Sequence, residues 1–298
     1  MKPTPTEVAI FKTLVYGDIF DYPLTADEIH HFLIEDASSL EDVRCSLEQS
    51  EWLAQRVTRV NGYYATRPET ADLRDYRQQV SEKLWRSARR YGVWMAYLPF
   101  VRMVALTGAL AMHNASDADD DLDYLIVTAR GRVWLARLMV VAIVRMARLW
   151  GAQICPNYVV SETRLSQQRK DLYIAHELVQ MVPVSGGETY QQMRAANDWL
   201  VAMMPNANGN PRAAAPHEPH GPLRLLQRGC ERLLSGRLGD RLEGWERSRK
   251  TAKFAAEEAQ SNHSAAIIDQ EQVKGHFQDY GHPVLNRFYA RLQEHGID

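Results

Sequence analysis

A polar loop between two strongly apolar runs is the feature that most constrains the fold of this chain. The stretch "ALTGALAMHNASDADDDLDYLIVT" spans residues 105–128 and places five aspartates within positions 117–123. The apolar residues after Asp123 are typical of a buried strand. Because a strand alternates its faces, Asp121 and Asp123 point the same way. The sequence therefore predicts two carboxylates held close together where a strand begins.

These two carboxylates predict a binding site for a divalent cation. Like charges at this separation destabilise the fold unless a cation joins them, and hard oxygen ligands favour Mg²⁺ or Mn²⁺. Upstream, a glycine turn lets the backbone approach a phosphate, and the first amides of a following short helix point toward it. Thr107, Gly108 and Ala109 are therefore predicted to hold phosphates. A phosphate-binding turn beside a metal-binding pair indicates phosphoryl transfer.

The order of these residues resembles the DNA polymerase β-like nucleotidyltransferase superfamily. Its signature is a glycine followed by Gly or Ser at a strand-to-helix turn, a short interval, and Asp-x-Asp at the start of the next strand. Gly108 matches the glycine and Asp121 and Asp123 match the pair, over residues 100–162. The resemblance implies a nucleotidyltransferase-like mixed sheet with helices. It also implies Mg²⁺-dependent transfer of a nucleoside monophosphate from an NTP to a hydroxyl-bearing acceptor, which is RNA, protein or a small molecule.

Two positions depart from that signature. Ala109 stands where the superfamily commonly has Ser or Gly, so no hydroxyl is available there for a phosphate oxygen. The superfamily also has a third carboxylate on a later strand, and the predicted strand 153–160 contains none. Glu162 is the nearest candidate, while the uncharged Asn157 has a plausible inward position. Without a third carboxylate, a group that helps to activate the attacking hydroxyl is lost. The alternative functions are a catalytically impaired nucleotide sensor and an antitoxin-like or RNA-binding interaction protein.

The aspartates also allow two interpretations without nucleotide chemistry. Asp117, Asp119 and Asp121 match the opening of an EF-hand loop. However, Leu122 and Thr128 stand where a calcium loop needs Gly and Glu, which argues against that interpretation. A solvated acidic turn without a function stays open.

The first 67 residues resemble a winged helix-turn-helix domain. Apolar periodicity predicts three short helices, with capping boxes beginning at Thr25 and Ser38. The pair Asn61-Gly62 then predicts a hairpin. Residues 1–67 carry 6 basic and 11 acidic groups, so the phosphates of a duplex would repel the candidate recognition helix. The charges argue against sequence-specific DNA binding and favour a structural or partner-docking role.

Strands that alternate with helices from residue 100 onward predict an α+β fold. A connector helix and these elements make up a core at 68–204, and the Pro-, Asn- and Gly-rich stretch 205–222 predicts a linker. The remainder, 223–298, predicts a helical C-terminal region. Its segment 223–253 carries 9 basic and 4 acidic residues. We interpret this segment as an amphipathic helix on the core with an arginine-rich outer face, or as a phosphate- or RNA-contacting surface.

Other features exclude several classes of protein. The net charge of -2 gives no global attraction to nucleic acid or membrane. No run approaches the ~20 apolar residues of a membrane span, and the beginning of the chain lacks the pattern of a signal peptide. We therefore expect a cytoplasmic protein without a membrane span. The cysteines are far apart and form no CxxC pair, which argues against a zinc ribbon and a disulfide framework.

Two histidine-containing stretches are secondary candidates. His276, Asp279 and His282 recur at three-residue intervals and could form a metal or phosphate site, although Gly281 and Pro283 argue against a continuous helix there. His176 and Glu177 lie on an apolar helix, where they either pack in the core or line a pocket.

Overall fold

The computed structural model describes residues 2–258, 267–274 and 280–297 as a mixed α and β protein with a mixed sheet. The helices are α1 (Pro5–Asp18), α2 (Ala26–His31), α3 (Leu40–Gln49), α4 (Glu51–Ala54), α5 (Ala71–Ala96), α6 (Gly108–Ala111), α7 (Val133–Arg148), α8 (Leu172–Gln180), α9 (Gly187–Ala195), α10 (Leu200–Met203), α11 (Gly221–Leu234), α12 (Arg237–Glu258) and α13 (Gly281–Glu294). The strands are β1 (Thr58–Val60), β2 (Tyr63–Ala65), β3 (Val101–Leu106), β4 (Leu122–Thr128), β5 (Ile154–Ser161), β6 (Val182–Ser185), β7 (Ile267–Ile268) and β8 (Gln272–Lys274).

The N-terminal part consists of α1 to α4 and the hairpin β1-β2. Thr25 opens α2 with the expected capping box, whereas the box of α3 begins at Ser39 and not at Ser38. Asn61 and Gly62 form the hairpin turn with φ angles of 54° and 86°. Leu24, just before α2, bridges the second hairpin strand. The N-terminal part therefore has the three main helices that the apolar periodicity predicts and the hairpin that Asn61-Gly62 predicts.

The core is a sheet with the strand order β6-β3-β4-β5-β8-β7. Strands β4 and β5 are parallel, and the other neighbouring pairs are antiparallel. A parallel pair needs a long crossover connection, and α7 provides it between β4 and β5. The predicted α+β class is confirmed, and β4 begins at Leu122, where the aspartates and the apolar residues after them predict a buried strand. None of the helices in the described ranges combines the length and the apolar composition that a membrane span requires.

The C-terminal region is not only helical, which corrects the prediction for 223–298. Strand β8 pairs antiparallel with β5, and β7 pairs with β8, so this region adds two strands to the core sheet. Helix α13 packs against α1 and α8. The short strands carry too few residues for a clear alternation of apolar and polar positions, and their pairing depends on contacts that are distant in sequence.

The stretch 205–222 is packed onto the protein and is not a free linker. Asn210 is buried, and its side-chain amide donates to the Ala111 carbonyl at 3.1 Å. Arg212 pairs with Glu28 of α2, which also accepts a hydrogen bond from Arg74 of α5 at 2.8 Å. Polar side chains thus attach a segment that has no apolar periodicity. Glu28 joins the N-terminal part, the connector helix and this stretch.

Candidate functional site

The glycine turn after β3 lies directly against the carboxylate of Asp123. The Thr107 amide donates to the Asp123 carbonyl at 3.0 Å, which fixes the turn beside the beginning of β4. Gly108 begins α6 with a φ of 67°. A Cβ built on Gly108 would overlap Oδ2 of Asp123. The positive φ and this close approach both require glycine, so the turn and the carboxylate form one structural unit.

Asp123 is half-buried and hydrogen-bonded to the neighbouring strand. Nδ2 of Asn157 donates to its Oδ1 at 2.6 Å, and Sγ of Cys155 donates to Oδ1 of Asn157 at 2.7 Å. The register of β4 and β5 shifts between Asp123 and Leu125, because β5 accommodates one extra residue there. Pro156 lies in this bulge and has no amide to donate to the ladder. The bulge leaves the side chain of Asn157 facing Asp123.

Burial and neighbouring carboxylates disfavour the charged form of Asp123 more than its hydrogen bond from Asn157 favours it. Burial raises the pKa of Asp123 to about 7, the hydrogen bond from Asn157 lowers it, and the charges of Glu177 and Asp121 raise it further. Burial and the charge of Asp123 raise the pKa of the Cys155 thiol to about 12. Carboxylates that raise one another's pKa form an environment that a cation would stabilise. The donor set of Asp121 and Asp123 therefore fits a hard divalent ion.

Asp121 precedes β4 and has an exposed side chain. The aspartates before it shape the loop: Asp120 accepts from the Ser116 amide at 2.8 Å and from the Asp121 amide at 3.0 Å, and Asp117 accepts from the Asp119 amide at 2.9 Å. The structure thus brings Asp121 and Asp123 to one end of β4. In the parts of the chain that are described, no three His, Cys, Asp or Glu side chains are grouped as a metal site.

Glu162 lies at the opposite end of β4, which corrects its prediction as a third ligand. Its amide donates to the Thr128 carbonyl at 2.8 Å, and its carboxylate accepts from the Arg130 amide at 3.1 Å and lies 3.7 Å from Arg102. The rise of a strand places this end about 17 Å from Asp123. Proximity in sequence to the end of β5 suggested Glu162, but parallel pairing directs that end away from the pair.

A cavity of about 280 Å³ opens beside the glycine turn, between α1, α6 and α8. Most of its wall is apolar or aromatic, and one carboxylate is present. The lining residues are Thr13, Tyr16, Gly17, Phe20, Tyr22, Leu24, Phe32, Gly108, Ala109, Met112, Asn114, Tyr173, His176, Glu177 and Gln180. The N-terminal part therefore completes a cavity whose wall includes Gly108 and Ala109 of the predicted phosphate-binding turn. Glu177, for which the sequence left core packing or pocket lining open, lines this cavity.

His176 is both a core residue and a wall of the cavity. Its ring stacks on Tyr16 with a centroid separation of 3.7 Å, and Nδ1 hydrogen-bonds the Leu172 carbonyl at 2.8 Å. Burial lowers the pKa of His176 to about 4. The imidazole is therefore neutral at physiological pH and adds no positive charge to the cavity.

Two residues to which the sequence assigned no role in the site act on Asp123. Asn157, for which an inward position was plausible, is its hydrogen-bond partner, and the charge of Glu177 on α8 raises its pKa. Of the secondary candidates, His276 and Asp279 lie outside the described residues.

Comparisons with protein-family models, with curated proteins and with solved structures found no match to this chain.

Proposed function

We propose that this protein is a Mg²⁺-dependent nucleotidyltransferase with a DNA polymerase β-like core and a winged-helix-like N-terminal domain. The observation that carries the proposal is the contact between the Gly108 turn and the Asp123 carboxylate. A helix N-terminus offers backbone amides without intrahelical partners, which suit phosphate oxygens. A partly buried carboxylate with acidic neighbours suits a cation. Both requirements of NTP binding meet at this contact.

Each residue of the site has a proposed role. The backbone of Thr107, Gly108 and Ala109 binds the phosphates, and Asp121 and Asp123 hold Mg²⁺ or Mn²⁺. When bound, the ion supplies charge neutralisation to the triphosphate. The Asn157 amide orients Asp123 through its 2.6 Å hydrogen bond. Because Ala109 has no hydroxyl, phosphate recognition at this turn rests on the backbone.

The proposed reaction transfers a nucleoside monophosphate. The oxygen of an acceptor hydroxyl forms a bond to the α-phosphorus of the NTP, and the bond from that phosphorus to the bridging oxygen of the β-phosphate breaks. Pyrophosphate leaves, and the hydroxyl proton passes to solvent or a base. The cavity of about 280 Å³ supports a small-molecule acceptor over RNA or protein, since it is near the lower end of the size range of small-ligand pockets.

A nucleotide sensor is the second candidate, and Asn157 favours it. The side chain that meets Asp123 from β5 is an amide, which cannot take a proton from the attacking hydroxyl. In this reading the same turn and aspartate pair bind an NTP without turning it over. The N-terminal domain then binds a partner protein differently when a nucleotide is bound.

A transfer assay with α-labelled NTPs separates these candidates. The full chain is incubated with Mg²⁺, each NTP and pools of cellular small molecules, RNA or protein, and both labelled products and pyrophosphate are measured. Transfer that Asp121→Asn/Asp123→Asn abolishes and Asp117→Asn/Asp119→Asn retains supports the enzyme. Mg²⁺-dependent NTP binding without transfer to any pool supports the sensor. Absence of NTP binding contradicts both.

A further inference from the structure

Helix α11 packs against the core through polar side chains. Gln227 is its buried residue, and Nε2 of this side chain donates to the Ala96 and Leu98 carbonyls at 3.1 and 2.8 Å. One turn later, Glu231 accepts from the Phe100 amide at 2.7 Å. The face of α11 that contacts the core therefore includes hydrogen-bonding groups beside the apolar Leu234.

Four of the five leucines of this helix are exposed, while Leu234, like Leu242 of α12, packs against the core. Large apolar side chains in this segment are between 56% and 77% exposed: Leu223, Leu225, Leu226, Leu233, Leu238 and Trp245. Leu226 and Leu233 are seven residues apart and lie on one side of α11. The helix therefore lies on the core with exposed arginines, as we interpreted it, but most of its leucines are on the outer side as well. Clustered exposed apolar side chains mark an interaction surface.

The acidic residues of the segment are engaged with the protein, while arginines are exposed. Glu243 accepts from the Trp134 and Leu135 amides at 3.0 and 2.7 Å. Asp240 pairs with Arg132, and Glu246 is buried beside Arg249. The exposed arginines are Arg228, Arg232, Arg237 and Arg241. The outward surface of α11 and the first half of α12 therefore combines leucines with positive charge.

We propose that this surface, residues 223–245, docks onto an anionic membrane without crossing it. Leucine and tryptophan side chains enter the boundary between headgroups and acyl chains, and arginines pair with lipid phosphates. RNA matches the arginines but offers no apolar phase for the leucines. A second copy of the chain presents the same positive charges, which oppose a symmetric contact. The membrane is the partner that complements both properties.

Vesicle flotation of the full chain tests this proposal. We compare phosphatidylcholine vesicles with vesicles containing about 30% phosphatidylglycerol, at low and at high salt. The variants are Leu226→Ser/Leu233→Ser and Arg228→Gln/Arg232→Gln. Val201→Ser is the matched control, because Val201 on α10 is 62% exposed and lies outside the surface. Thermal unfolding confirms that each variant is folded.

We expect binding to the anionic vesicles only, weakened by salt and lowered about tenfold by either double substitution, with no change in Val201→Ser. Absence of binding, or binding that the leucine substitutions leave unchanged, overturns the proposal. Two further results overturn it in favour of another partner. One is a dimer that Leu226→Ser/Leu233→Ser dissociates, seen by light scattering. The other is RNA binding that the arginine substitutions remove while vesicle binding is absent.

Discussion

Asn157 on β5 donates its side-chain amide to Oδ1 of Asp123 on β4 at 2.6 Å. Burial raises the pKa of Asp123, this hydrogen bond lowers it, and the charges of Glu177 and Asp121 raise it further. A neutral donor therefore stands at the point where another carboxylate would add to the repulsion. The amide adds no negative charge beside Asp123, and it cannot take up a proton as a carboxylate can.

Asn157→Asp replaces this hydrogen bond by repulsion between two carboxylates. We expect the free energy of unfolding at neutral pH to fall by about 1 to 3 kcal/mol. Mg²⁺ should recover much of the loss, since an ion that binds only the folded state stabilises it. Thermal unfolding with and without Mg²⁺ measures both effects, and Asn157→Ser, which adds no charge, is the control. An equal response of the two variants to Mg²⁺ would count against a cation at Asp123.

Asp123→Asn should stabilise the protein at alkaline pH. The pKa of Asp123 is about 7 in the folded protein and about 4 in an unfolded chain. The stabilising contribution of the protonated carboxyl is therefore complete below about pH 4 and is lost as the pH rises through about 7. We therefore compare the free energy of unfolding of Asp123→Asn with that of wild type. This difference should shift in favour of the variant by about 1 to 3 kcal/mol from about pH 4.5 to pH 8, allowing for partial exposure.

Urea unfolding at both pH values measures this gain. Asp119→Asn is the control, because Asp119 is an exposed residue of the same loop; this substitution should change the free energy of unfolding by less than about 0.5 kcal/mol. A pH-independent difference between wild type and Asp123→Asn would show that Asp123 does not titrate in this range.

His176→Phe should make the free energy of unfolding less sensitive to acid. Burial lowers the pKa of His176 to about 4, while an unfolded imidazole titrates near about 6.5. Stability from the neutral ring is therefore present above about pH 6.5 and is lost as the pH falls toward 4. Phe can stack on Tyr16 without titrating. The free energy of unfolding of the variant, relative to that of wild type, should therefore rise by about 2 kcal/mol as the pH falls from about 7 to about 4.5. Chemical denaturation at both pH values checks this, with a substitution at the exposed His220, His220→Gln, as the control.

Gly108→Ala should disrupt the turn and the proposed nucleotide site together. The new Cβ would overlap the Asp123 carboxylate at a residue with a φ of 67°, so we expect a loss of about 1 to 3 kcal/mol in stability. Gly244→Ala is the matched control, since open space surrounds Gly244 in α12 and alanine favours a helix by about 1 kcal/mol. Calorimetry for stability and NTP titration for binding give the two readouts. Wild-type stability in Gly108→Ala would refute the close approach.

Local patterns in the sequence were sufficient for the elements around the aspartates. Asp121, Asp123 and the apolar residues after them predict β4, and Asn61-Gly62 predicts the hairpin turn, because these signals depend on neighbouring residues alone. The proximity of Gly108 to Asp123 also follows from a strand, a turn and a returning strand. These features could be predicted without knowledge of the tertiary contacts.

Features that depend on distant pairing could not be predicted. Glu162 follows β5 directly in sequence, but the parallel register directs it away from Asp123. Glu177 reaches the cavity only because α8 packs near α6 and α1, which are far apart in the chain. Strand β8 joins β5 through pairing across more than a hundred residues. The outward leucines of α11 depend on Gln227 and Glu231 finding partners in the core.

Isothermal titration of NTPs into the full chain, with and without Mg²⁺, tests the central claim most directly. We compare wild type with Asp121→Asn/Asp123→Asn and with Asp117→Asn/Asp119→Asn, which removes the same charge from the loop that precedes β4. The proposed site predicts Mg²⁺-dependent binding that the first variant loses and the second retains. Equal loss in both variants, or NTP binding that does not require Mg²⁺, would contradict the assignment of Asp121 and Asp123 as the ion-binding pair.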